Sequence, residues 1–106
     1  MIKTARISEK VEGIRLDITI KNAKGHVLAP TWDLVMGLKD GKITWAQYES
    51  GYLKLLNERL KTRRSEFVSI VEMARDKDVY LICFCTDERI CHRRLAMEFL
   101  LAMSTQ

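Results

Sequence analysis

Twelve consecutive residues, Cys83-Phe84-Cys85-Thr86-Asp87-Glu88-Arg89-Ile90-Cys91-His92-Arg93-Arg94, hold all three cysteines of the chain, one of its two histidines and three arginines. Thiols can act as nucleophiles or bind metals, an imidazole can take a thiol proton, and guanidinium groups hold anions. The stretch follows the apolar run Val79-Tyr80-Leu81-Ile82-Cys83-Phe84, which reads as a buried strand. It opens a segment from Cys91 to Met103, whose Leu95, Ala96, Phe99, Leu100 and Met103 recur at helical spacing. A strand-to-helix turn of this kind is where open α/β sheets bind ligands.

Cys83 lies inside the apolar run and reads as a small core residue. Cys85 is expected at the carboxyl end of the strand. Cys91 is expected at the helix start, where the terminus and nearby arginines favour thiolate. The catalytic candidates are therefore Cys91 as nucleophile, His92 as its base and Cys85 as a second thiol. Arg93 and Arg89 are candidates for holding an anion beside the helix amides. Asp17, in an earlier strand, could point into the same site. Zinc is not expected: C-x-C followed by an adjacent C-H pair is not a standard ligand spacing, and neighbouring residues rarely reach one ion. A reversible Cys85–Cys91 disulfide is a further reading of the same turn. No cofactor is required by any of these.

Other elements must carry this turn. Ile2 to Arg6 reads as a short strand, and Arg15 to Ile20 alternates Leu16, Ile18 and Ile20 with polar neighbours, a second strand. Lys21 to Gly25 is a polar loop. Thr31, after Pro30, can cap a short helix running to Leu38, which Asp40-Gly41 ends. Thr44-Trp45-Ala46-Gln47 fits a capping box, followed by an apolar face of Trp45, Tyr48, Tyr52, Leu55, Leu56 and Leu60. A third helix from Ser65 turns Phe67, Ile70, Val71 and Ala74 inward. Trp32 and Trp45 read as core anchors, and His26 as a surface loop residue.

The order β-β-α-α-α-β-α, without linker or repeat, predicts one domain over residues 1–106. The fold class is α/β: a single compact, three-layer, Rossmann-like domain with a small, mainly parallel sheet. Hydrophobic residues make up 47% and charged residues 30% of the 106, a globular balance with no apolar run long enough for a membrane. Met1 to Arg6 lacks the apolar stretch of a signal peptide, so a cytoplasmic location and thiols rather than structural disulfides are expected. The formal charge of +4 suggests anionic partners. The basic residues cluster as Lys61/Arg63/Arg64 and Arg89/Arg93/Arg94, and a non-enzymatic nucleic-acid-binding module using Lys61, Arg63, Arg64, Arg89 and Arg94 is the rival to a small phosphate-bearing ligand or nucleotide.

The segment Leu81-Ile82-Cys83-Phe84-Cys85, followed by Cys91-His92-Arg93-Arg94-Leu95-Ala96, resembles the closing motif of the DUF488 family of small prokaryotic α/β proteins. Leu28-Ala29-Pro30-Thr31-Trp32-Asp33-Leu34 and the run from Trp45 through Tyr48 to Tyr52-Leu53 are similar to its middle segments. The resemblance spans about residues 14 to 102. It implies a Rossmann-like domain with Cys91, His92 and Arg93 at the ligand end of the sheet. It implies no defined reaction, because the family is named for unknown function. The glycine–histidine–serine turn of longer members has no counterpart after Ile2–Arg6, which brings the chain nearer the family's short branch.

Overall fold

The computed structural model describes residues 1–19, 25–83 and 91–104. Three strands and four helices follow one another as β1 (Ile2–Arg6), β2 (Ile14–Asp17), α1 (Trp32–Lys39), α2 (Trp45–Thr62), α3 (Arg64–Asp76), β3 (Val79–Cys83) and α4 (His92–Ser104). The order of types is the one expected, and the α/β class with a small parallel sheet holds. The sheet order is β1-β3-β2, with both pairings parallel. The last strand in the chain is thus the central one. Val79, Leu81 and Ile82 of β3 are buried, as a continuous apolar run requires of a strand covered on both faces.

Side chains alternate across a strand, so each face has its own partners. Val79 and Leu81 join Ile2, Ile14, Leu16 and Ile18 in one core with Tyr48, Tyr52 and Leu56 of α2, Phe67 and Ile70 of α3, and Leu95 and Leu100 of α4. On the opposite face, Lys3 and Arg15 flank Tyr80 in register. The link from β1 to β2 passes on that side. Arg15 donates to the carbonyls of Ile7 (3.0 Å) and Glu9 (2.6 Å) along it. Gly13 ends the link at φ +146°, and a Cβ there would lie 2.6 Å from the Asp78 carbonyl oxygen. Only glycine fits that approach.

Local signals in the sequence hold where their partners are close in the chain. Thr44 Oγ1 accepts from the Gln47 N–H (3.2 Å), and Gln47 Oε1 accepts from the Thr44 N–H (2.8 Å), completing the capping box. Thr31 Oγ1 accepts from the Leu34 N–H at the start of α1. Three expectations need correction. β2 ends at Asp17 because Asp17 Oδ1 accepts from both the N–H (2.9 Å) and the hydroxyl (2.7 Å) of Thr19, which turns the chain out of the ladder. Ile20 lies outside the described residues. Trp32 is exposed rather than a core anchor, since it opens an eight-residue helix with no buried residue. α4 begins at His92, leaving Cys91 just before the helix. No helix among the described residues is long and apolar enough to cross a membrane.

Candidate active site

The carboxyl ends of all three strands meet the start of α4, and three successive residues there reach three different strands. Cys91 Sγ lies 3.1 Å from Cys83 Sγ at the end of β3. His92 Nε2 lies 2.9 Å from the Ile18 carbonyl oxygen, just past β2. Arg93 Nη1 donates to the Ala5 carbonyl in β1 (3.1 Å). All four side chains, Cys83 included, are buried.

The His92 contact fixes its tautomer. A carbonyl oxygen can only accept, so Nε2 carries a hydrogen, and in the neutral ring Nδ1 presents a lone pair. That nitrogen lies 3.9 Å from Cys83 Sγ. The ring is also braced by Tyr52, edge-on at 5.6 Å between centroids and 76° between planes. Burial pushes the Tyr52 pKa well up, so its hydroxyl stays a donor, held by the Leu28 carbonyl (2.5 Å). Leu28 is held in turn. His26 Nδ1 accepts from its N–H (3.0 Å), and Arg59 Nη1 donates to the carbonyls of His26 (3.3 Å), Val27 (2.8 Å) and Ala29 (2.6 Å).

Among the described arginines, Arg93 is the buried one. Its side chain is 3% exposed, its Nε has no hydrogen-bond partner, and no carboxylate lies within ion-pair distance among the described residues. A buried cation without a counter-ion costs several kcal/mol unless something else neutralises it. It sits in the first turn of α4, where backbone N–H groups already favour an anion.

The residues singled out from sequence are thus distributed unevenly. Cys91, His92 and Arg93 come together as expected. Cys83, read as a core residue, is the thiol nearest the imidazole and the neighbour of Cys91. Cys85 and Arg89 lie outside the described residues, and with them the Cys85–Cys91 disulfide reading. Asp17 is half-buried and committed to Thr19; it lies in register with Ile82, on the face opposite Leu16 and Leu81. His26 is half-buried rather than surface decoration, and burial lowers its pKa. Arg59 was missed, because its partners are backbone carbonyls that no spacing in the sequence announces. Of the basic clusters, Arg63 is taken by Glu66 (2.5 and 2.7 Å) and Arg94 by Glu98 (2.9 Å).

A family model described as the Active DUF488-N3 subclade matches residues 5–104, nearly the whole chain. The chain belongs to the DUF488 family. The match runs from the Ala5 carbonyl in β1 to the end of α4, so it takes in every residue of the cluster. No curated protein and no solved structure matches the chain. In this DUF488 chain, the Cys-His-Arg sequence first ties a helix to a sheet, one strand per residue. It also gathers two cysteines, an oriented imidazole and a buried guanidinium at one edge.

Proposed function

We propose that the carboxyl edge of the sheet binds a phosphate-bearing small molecule or nucleotide, and that the thiol–imidazole group beside it acts on the bound ligand. The observation that carries this reading is Arg93, a buried guanidinium whose Nε has no hydrogen-bond partner and beside which, among the described residues, no carboxylate lies. A phosphate would supply the missing charge and accept from Arg93 and from the first N–H groups of α4. The description of the matched subclade as active agrees with a site that does chemistry.

The chemistry falls to Cys83, Cys91 and His92. His92 Nδ1 takes the proton of the Cys83 thiol, and the Cys91 S–H, which donates to Cys83 Sγ, stabilises the resulting thiolate. The nucleophile is thus a coupled pair of sulfurs with Cys83 next to the base. Nucleic-acid binding has less behind it, since Arg63 and Arg94 are spent on neighbouring glutamates.

The test is a thermal-shift and calorimetric titration with inorganic phosphate and a panel of nucleotides, on the wild type and Arg93→Met. Saturable stabilisation of the wild type, lost in the variant, is the expected result. A wild type indifferent to every phosphate-bearing compound would overturn the reading.

A further inference from the structure

We propose that Cys83, Cys91 and His92 form a binding site for a thiophilic divalent cation of the Zn2+ class. The two sulfurs and a nitrogen of His92 lie within 4.8 Å of one another, and all three side chains are buried. Zinc binds thiolate sulfur at about 2.3 Å and imidazole nitrogen at about 2.0–2.1 Å, which sets tetrahedral ligand atoms about 3.5–3.8 Å apart. The observed separations, 3.1 Å for Cys83–Cys91 and 3.9 Å for Cys83–Nδ1, bracket that range. Shifts of about 0.7 Å in the sulfur–sulfur separation and about 0.4 Å in the Cys83–Nδ1 separation reach that geometry, and the third pair, Cys91 Sγ and the His92 nitrogen, lies within 4.8 Å.

The imidazole is oriented as metal sites orient it. Its Nε2–H is given to the Ile18 carbonyl, which fixes the ring and turns Nδ1, the ligating nitrogen, toward the sulfurs. The charges also balance. Two thiolates and a divalent cation sum to zero, so the loaded cluster avoids the cost of an unpaired buried charge. Loading releases the two thiol protons and leaves His92 neutral with its Nε2–H in place.

The sequence argument against zinc fails on one point. Adjacent residues within a helix diverge by about 100°, but Cys91 precedes α4, so its side chain does not follow the helical rotation and can converge with that of His92. The three protein ligands among the described residues leave one coordination position of a tetrahedral ion to be filled, as in catalytic zinc sites. This goes beyond the anion reading and does not rest on it: the metal uses the sulfurs and Nδ1, the anion uses Arg93. The two meet in one consequence, that a loaded cluster has no thiol available as a nucleophile.

The test titrates reduced, metal-stripped protein with Co2+ alone. One equivalent is expected to give a thiolate-to-cobalt charge-transfer band, displaced by Zn2+. Native mass spectrometry is expected to show one ion bound with loss of two protons. Cys83→Ser and Cys91→Ser each abolish the band; Cys85→Ser and Arg93→Met retain it. A folded, reduced wild type with no band at stoichiometric Co2+ would overturn the proposal without recourse to any variant. A band that survives the Cys83→Ser/Cys91→Ser pair, or that is lost in Cys85→Ser, would overturn this ligand set. Because Arg93→Met separates the two readings, failure of phosphate binding leaves the metal result standing.

Discussion

The two ends of this sheet handle charge in opposite ways. At the amino end, Asp78 meets Lys3 at 3.2 Å and the Met1 amino group at 3.7 Å, with both side chains of the Lys3 pair well exposed. Lys3 also lies over the Tyr80 ring. Water screens such pairs, and they add little to stability. At the carboxyl end, Arg93 and His92 are buried, and their described partners are backbone carbonyls rather than carboxylates. A fold selected for stability alone would place its charges as the amino end does. The carboxyl end instead buries a cation whose described partners are uncharged, the arrangement that the proposed anionic ligand would offset.

His92→Ala should break the carboxyl end most severely. It leaves the Ile18 carbonyl without its donor and opens space beside Tyr52, so a loss of about 3 kcal/mol is expected in urea denaturation. If the two ends were equivalent, the loss would be no larger than that from an exposed ion pair. Arg93→Met sharpens the contrast, because it should separate binding from folding. Phosphate affinity is expected to fall by about 100-fold, while ligand-free stability stays at or above that of the wild type. Calorimetry and thermal denaturation of the same preparation read both.

Gly13→Ala addresses the amino end. The positive φ and the approach to the Asp78 carbonyl predict a loss of about 2 kcal/mol, which chemical denaturation would measure. Backbone fit, not charge, would then be what holds that end. His26, in the loop beyond β2, gives the pH dependence. Burial is the main cause of its lowered pKa; Glu66 and Asp17 oppose the shift, and Arg63 and Arg59 add to it. Below the ordinary imidazole value of about 6.5 the unfolded chain therefore binds more protons, so stability falls as pH drops toward the folded value. His26→Asn, which keeps an acceptor for the Leu28 N–H, should flatten that fall between denaturation curves taken at about pH 7.5 and about pH 5.5. The smallest effect is expected from Asp78→Asn: a small drop in melting temperature that vanishes at high salt.

What could be read from the sequence follows the same division. The capping box at Thr44, the apolar face of Tyr48, Tyr52 and Leu56, and the buried run of β3 were legible because each depends on neighbours within a turn or on strand composition. The end of β2 was not, since two hydrogen bonds from Thr19 to Asp17 override an alternation that continues to Ile20. At the site, the Cys91-His92-Arg93 sequence announced itself. Cys83 did not: a cysteine among Val, Leu and Ile looks like filler until the fold sets Cys91 beside it. The acceptors of His92 and Arg93 were hidden for a different reason. They are main-chain oxygens, which every residue carries.

The three ties at the head of α4 have a bearing on how the molecule is made. In sequence they span 8, 74 and 88 residues. Each closure costs chain entropy that grows slowly with length but must be met before the contact returns anything. Cys91 immediately precedes α4, and His92 and Arg93 open it, so docking of that one segment brings the three ties together. A chain in which that segment is undocked lacks the Cys83–Cys91 pair and the oriented imidazole. The juxtaposition on which the proposed chemistry depends is therefore a property of the folded chain alone.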